Sequence, residues 1–301
     1  MERLRSDDGH SLDVRSLKYR DRYNRPAMIP DTSPRFAVFG HPVAHSLSPA
    51  IQRAFAAQFD SDIHYTTIDA TPQDFAPRVL EFFGNGGKGA NVTVPHKRAA
   101  AELADLCSDA VQRAGVANVL TRLPDGRLRA DNTDGSGLLR DLVERRDFNL
   151  RGRRVLLLGA GGAAQGIAFP LIDAAPAELV ITNRTPQRAQ TLADRLGPAA
   201  HAQPWQDLEK LGAFDLILNA TSAGVLSQPL VLPPSLVRHD TLCYDLAYGP
   251  AAHPFFDWAQ IAGTTHAIDG LGMLIETAAD SYALWHGHRP DTQPVFAALN
   301  I

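Results

Sequence analysis

The chain is short of cysteine. Its 301 residues hold two, Cys107 and Cys243, far apart and without C-x-x-C spacing. That excludes a disulfide framework or a multi-thiolate zinc site and fits a reducing cytoplasm. Long apolar runs are absent too: none approaches the ~18 residues of a membrane span. Neither sign of charge dominates. Twenty-nine basic against 33 acidic residues leave −4, with a pI near 6.2, which argues against nucleic acid or an anionic membrane as the main partner. None of the eleven histidines has H-E-x-x-H spacing, so no metal site is expected. What is present is 45% apolar and 21% charged sequence, enough for real cores, in a length that suggests about two domains.

Residues 1–33 differ from the rest. Up to Ala27 there are seven basic and five acidic residues with few large apolar ones. No apolar signal core appears, and the acids argue against a transit peptide. The expectation is a disordered extension, with translation from Met28 as a second reading. From Pro34 the pattern alternates strand and helix. Phe36–Phe39 reads as a buried strand, Ser48-Pro49 opens a helix, and residues 62–69 and 88–94 give two more strands. In the last of these, alternation puts Asn91 and Thr93 on one face and Val92 and Val94 on the other. Pro95 suits the first turn of a following helix, which places Lys97 at that helix's start, where the dipole makes a cation unwelcome.

Asp134 opens another helix, with Leu138, Leu139, Leu142 and Val143 on one stripe. Strands at 155–158, 178–182, 214–219 and 241–246 and a short apolar piece near Ala267-Ile268 follow. The last helix starts after Asp269-Gly270. Strand and helix in alternation imply parallel α/β sheets. Asp131 to Asp134 close a first unit of this kind, and a second unit follows.

Gly159-Ala-Gly161-Gly162-Ala163 follows a strand and precedes a helix, the context that makes a Gly-rich turn a credible dinucleotide site. The next strand ends Asn183-Arg184-Thr185, with Arg188 one turn on. No carboxylate is there to take a ribose 2′-hydroxyl or repel a 2′-phosphate, and two guanidiniums are at hand. NADP is expected over NAD, against the alternative of two solvated arginines. Asn219-Ala-Thr221 sits at a strand's C-terminal end, beside the expected ribose–nicotinamide. Asp134 reads either as a helix-start acid or as a partner for Lys97, whose ammonium can protonate an oxygen that gains charge during ketone reduction. Ser46 and Ser48 read either as caps or as carboxylate ligands.

Taken together, the segments Phe39-Gly40-His-Pro, His45-Ser-Leu-Ser-Pro49, Gly87 to Lys97, Asp131-Asn-Thr-Asp-Gly135, Gly159 to Ala163, Asn183 to Thr185, Asn219 to Ser222, Tyr244-Asp245 with Tyr248, and Asp269 to Leu274 resemble the shikimate dehydrogenases, in family order over about residues 35–290. The resemblance implies two α/β domains, residues 34–133 with 269–301 as a substrate-binding domain and 134–268 as a Rossmann-type NADP-binding domain, with the C-terminal helices returning to the first. It implies NADP-dependent reduction of 3-dehydroshikimate to shikimate, in aromatic amino acid biosynthesis, by a cytoplasmic monomer or homodimer. By position, Lys97 and Asp134 become the catalytic pair. Ser46, Ser48 and Tyr248 hold the substrate carboxylate, and Thr93, Asn118 and Asp134 its hydroxyls. Gly159, Gly161, Gly162, Ala163, Asn183, Arg184, Thr185, Arg188, Thr221 and Gly270 fall to NADP. Two departures stand out: Thr277, assigned to substrate, replaces a Gln, and Val119 follows Asn118 where the family favours Thr. A quinate/shikimate dehydrogenase is the nearest enzyme alternative, and an NADP-binding sensor paralogue the alternative outside catalysis.

Overall fold

The computed structural model describes residues 33–224 and 230–299. Apart from Ser33, the expected N-terminal extension lies outside the described residues. In chain order the elements are β1 (Arg35–Gly40), α1 (Ser48–Ala56), β2 (His64–Asp69), α2 (Phe75–Gly84), β3 (Gly87–Val92), α3 (Lys97–Leu103), β4 (Leu106–Cys107), α4 (Asp109–Ala114), β5 (Val119–Arg122), β6 (Leu128–Asp131) and α5 (Asp134–Leu139). Then come β7 (Arg154–Leu158), α6 (Gly162–Asp173), β8 (Glu178–Thr182), α7 (Pro186–Leu196), β9 (Ala200–Ala202), β10 (Leu216–Asn219), β11 (Leu242–Asp245), α8 (His253–Ala262), β12 (Ala267–Ile268), α9 (Leu271–His286) and α10 (Gln293–Leu299).

The first sheet runs β2-β1-β3-β5-β6-β4. Alternation along β1 sends Phe36 and Val38 to one face and Ala37 and Phe39 to the other. The first face packs on Ile51 and Phe55 of α1, Ile275 and Tyr282 of α9 and Phe296 of α10, so the C-terminal helices do return to the N-terminal sheet. The opposite face packs on Phe75 and Val79 of α2 and Ala100 of α3. The expected all-parallel order fails here: β3 pairs antiparallel with β5, and β5 with β6. For β5 and β6 the cause is a tight hairpin over Pro124-Asp125-Gly126, closed by the Leu123 N–H to Arg127 carbonyl bond of 2.9 Å, with Gly126 at φ +90°. Pro-Asp-Gly is a turn signal with a mechanism. The sequence pattern also suggests no helix beyond α9, and α10 follows it.

The second sheet, β12-β11-β10-β7-β8-β9, is parallel throughout. Its strand order reverses on either side of β7, the switch point where open α/β sheets bind ligands. Cys243 lies buried in β11, where burial pushes its thiol up to about 12, and Cys107 is half-buried.

Helix α5 continues into a π-helical stretch, Arg140–Arg145, which leads from the first unit to the second. Each π turn takes an extra residue, so the expected apolar stripe loses register. Leu138 and Leu142 are fully buried, but Val143 is 42% exposed. Asp141 in this stretch is buried and accepts the Tyr244 hydroxyl at 2.7 Å, which ties the connecting helix to β11.

Candidate active site

Strand β3 ends at Val92, two residues short of the expected boundary. Residues 93–96 form a turn, closed by the His96 N–H to Thr93 carbonyl bond of 2.9 Å, and the Val94–Pro95 peptide inside it is cis. Pro95 therefore belongs to the turn rather than to the first helical turn, and Val94 is 48% exposed instead of facing the core. The buried His96 ring stacks on Phe75, 4.4 Å between centroids. Its Nε2 lies 2.7 Å from the Ala70 carbonyl, an arrangement that needs the proton on Nε2. Burial pulls the His96 imidazole below its ordinary pKa. This anchor sets the start of α3, whose first residue is Lys97.

The Lys97 ammonium meets the Asp134 carboxylate at 2.6 Å, with side chains only 10% and 5% exposed. Asp134 is the first residue of α5, and the carboxylate is not spent on a cap. Oδ2 takes Lys97 and Oδ1 accepts the Asn118 amide at 2.9 Å. Asn118 is itself oriented, because its Oδ1 accepts the Thr133 N–H at 2.8 Å. Both charges sit at helix N-termini. The dipole favours Asp134 and disfavours Lys97, so the ion pair supplies what the lysine's own helix withholds. A buried pair of this kind is costly to break by removing one partner.

Around the pair lies a polar floor. Asn91 accepts the Tyr65 hydroxyl at 2.7 Å and donates to Ser281 at 2.8 Å. Thr93 is half-buried just beyond the strand end. Ser46 and Ser48 bond each other at 3.2 Å at the start of α1, where the N-cap Leu47 offers no side-chain bond; they share no hydrogen bond with Lys97 or Asp134. Thr277 is buried in α9 and its hydroxyl donates to the Thr133 carbonyl at 3.3 Å, so it is joined to the pair through residue 133. Tyr248 stands on the loop after β11, half-buried. Val119 is buried in β5. Asn91, Asn132, Thr133, Ser281 and Gly166 adjoin this site and were not among the expected site residues. Asn91 carries a signal as the polar face of β3, and Asn132 and Thr133 lie within the Asp131 to Gly135 motif.

The glycine turn lies against the same pair. Gly159 has φ +105°, and a Cβ there would stand 3.0 Å from the Ala220 carbonyl of the loop after β10. Gly161 faces open space, while a Cβ on Gly162 would come 3.3 Å from Lys97 Cβ. Asn183 accepts the Ala160 N–H at 3.2 Å, joining the end of β8 to the turn. Thr185 precedes α7, and Arg184 and Arg188 are exposed with no ion-pair partner among the described residues. Free helix N–H groups, two unpaired guanidiniums and no acid at the end of β8 fit a dinucleotide bearing a 2′-phosphate. Thr221 follows β10, and Gly270 packs against the Leu246 carbonyl, a contact that leaves no room for a Cβ.

Two family models match the chain: "Shikimate dehydrogenase substrate binding domain" over residues 38–120 and "Shikimate / quinate 5-dehydrogenase" over residues 141–232. A curated relative from Xanthomonas euvesicatoria pv. vesicatoria (strain 85-10), "Shikimate dehydrogenase (NADP(+))", is 53% identical over 269 residues, 88% of this chain and 95% of that protein. Among solved structures, an Ael1 enzyme from Pseudomonas putida superposes with a TM-score of 0.81 at 43% identity, covering 89% of this chain and 99% of that one. Shikimate 5-dehydrogenase from Thermus thermophilus, in complex with NADP(H) and shikimate, gives 0.76 at 35% identity over 89% and 98%.

Proposed function

The chain belongs to the shikimate dehydrogenase family, and from that premise we propose how its own residues perform the reaction. The activity is the NADP-dependent interconversion of 3-dehydroshikimate and shikimate, a step of the shikimate pathway. Residues 34–133 with 269–301 take the substrate, and residues 134–268 take NADP. When bound, NADPH supplies the hydride that reduces the substrate carbonyl. Gly159, Gly161, Gly162 and Ala163 receive the pyrophosphate. Asn183, Arg184, Thr185 and Arg188 receive the adenosine ribose and its phosphate, and Thr221 and Gly270 border the nicotinamide half.

Lys97 donates a proton to the carbonyl oxygen as that oxygen gains charge, and takes it back in the reverse direction. Asp134 holds the ammonium in place and, with Asn118 and Thr93, bonds the neighbouring ring hydroxyls. Ser46, Ser48 and Tyr248 hold the ring carboxylate. Thr277 closes the wall on the α9 side. The observation that carries this reading is the 2.6 Å Lys97–Asp134 contact directly beside the Gly162 backbone: proton source and hydride site share one seam. We place the enzyme in the cytoplasm as a monomer or homodimer; no helix of the described residues is long and apolar enough to cross a membrane.

The test is the loss of reduced-cofactor absorbance with 3-dehydroshikimate or 3-dehydroquinate, each with NADPH and NADH. The highest kcat/KM is expected for 3-dehydroshikimate with NADPH. A preference for 3-dehydroquinate with NADH would overturn the reading.

A further inference from the structure

Behind the two loops assigned to cofactor and substrate lies a buried relay of side chains. Thr221 donates to Asn219 Oδ1 twice, through its backbone N–H at 3.1 Å and its hydroxyl at 2.7 Å. These two donors fix which way the Asn219 amide faces. Its Nδ2 then has to donate, and it does so to Asp245 Oδ2 at 2.7 Å. The second oxygen of Asp245 accepts the Ala247 N–H at 2.8 Å. Asp269 continues the pattern: it accepts the Gly249 N–H at 2.9 Å and the Leu271 N–H, at the start of α9, at 3.1 Å. The residues on either side of Tyr248 are thus each held by a carboxylate. Asp245 and Asn219 are 1% and 2% exposed. A carboxylate kept in so dry a place is expensive, and it is retained here at the junction of the Thr221 and Tyr248 loops.

We propose that Asp245 and Asp269 are positioning residues for the reaction: Asp245, through Asn219, sets the Thr221 loop against the cofactor, and Asp245 and Asp269 together set Tyr248 against the substrate. This rests on the assignment of Thr221 to NADP and Tyr248 to the substrate carboxylate. The relay has a direction, and the direction can be reversed. In Asp245→Asn, an amide offers one acceptor where two donors arrive, so either Ala247 or Asn219 loses its bond. In the double variant Asn219→Asp/Asp245→Asn, the carboxylate now at 219 accepts both Thr221 donors and the amide now at 245. That amide's oxygen still accepts the Ala247 N–H, and every bond of the relay is restored.

The experiment measures kcat, both KM values and NADPH affinity for Asp245→Asn, the double variant, Asp269→Asn and Tyr248→Phe. Asp245→Asn is expected to raise KM for NADPH and for 3-dehydroshikimate about tenfold each, the effect of one hydrogen bond to a charged group, with a smaller change in kcat. The double variant is expected to recover both to within about threefold, a rescue that general damage to the fold does not predict. Asp269→Asn is expected to raise KM for 3-dehydroshikimate more than KM for NADPH. If Asp245→Asn does not fold, the double variant and Asp269→Asn still decide the matter. Unchanged KM values in Asp245→Asn, or a double variant no better than the single, overturn the proposal. Unchanged substrate KM in Tyr248→Phe instead overturns the assignment of Tyr248, and the rescue of NADPH affinity then still tests the Thr221 arm by itself.

Discussion

Gly166 of α6 lies directly under the Asp134 carboxylate: a Cβ at position 166 would stand 2.7 Å from Oδ2 and 3.1 Å from Asn132 Nδ2. Glycine inside a helix ordinarily costs about 1 kcal/mol against alanine, so its presence here marks close approach. Gly166→Ala is expected to push Asp134 off Lys97. The measurement is steady-state kinetics with NADPH titration: kcat falls about tenfold or more while NADPH affinity stays near the parent value. A variant that is more stable and fully active would show that Asp134 has room to move.

Lys97→Ala removes the proton donor and leaves Asp134 with the Asn118 bond alone. We expect kcat to fall by about 10²–10⁴ with little change in NADPH affinity. Because truncating one partner of a buried pair also destabilises, thermal unfolding is measured alongside. Near-parent turnover at saturating substrate is the result that would refute the assignment.

Arg184 and Arg188 are exposed and without ion-pair partners among the described residues, so their removal costs the free protein little. Each charge-assisted bond to a 2′-phosphate is worth roughly 1.5–3 kcal/mol. The double substitution Arg184→Ala/Arg188→Ala is therefore expected to raise KM for NADPH by about 10²-fold or more and leave KM for NADH almost unchanged. Equal losses with both cofactors would mean that these side chains do not read the phosphate.

The parts of this site that were legible in the sequence are those fixed by local rules. The glycine turn is legible because strand, Gly-x-Gly-Gly and helix follow one another, and Lys97 because a short strand leads into a helix start. Pro124-Asp125-Gly126 is a local signal of the same kind, and the hairpin it makes sets β5 antiparallel to β6. Val94 and Val143 depart from their periodic faces for a different reason. Simple periodicity assumes an unbroken strand or α-helix, and a turn at 93–96 and a π stretch at 140–145 end that assumption. The Lys97–Asp134 contact depends on how α3, α5 and α6 meet, which no local pattern encodes. Thr277 shows the same limit: its neighbour is the Thr133 carbonyl, 144 positions away in sequence.

Asp245 gives a pH-dependent signature of its burial. Desolvation, with a smaller push from the Asp269 charge, raises its carboxyl from 3.8 to about 6, against the lowering effect of the Ala247 and Asn219 bonds. A carboxyl with a raised folded-state pKa holds its proton more tightly folded than unfolded. Its contribution therefore favours the folded state below about 4 and is lost as pH rises through about 6, a swing of about 3 kcal/mol in all. Asp245→Asn lacks this titration but loses one bond of the relay at every pH. Urea unfolding of parent and variant at about pH 5 and about pH 8 should show the variant's deficit shrinking by about 1 kcal/mol at the higher pH. The comparison cancels every other group that titrates alike in both proteins. A deficit that stays constant across that range would mean that Asp245 titrates in the folded protein as it does in the unfolded chain.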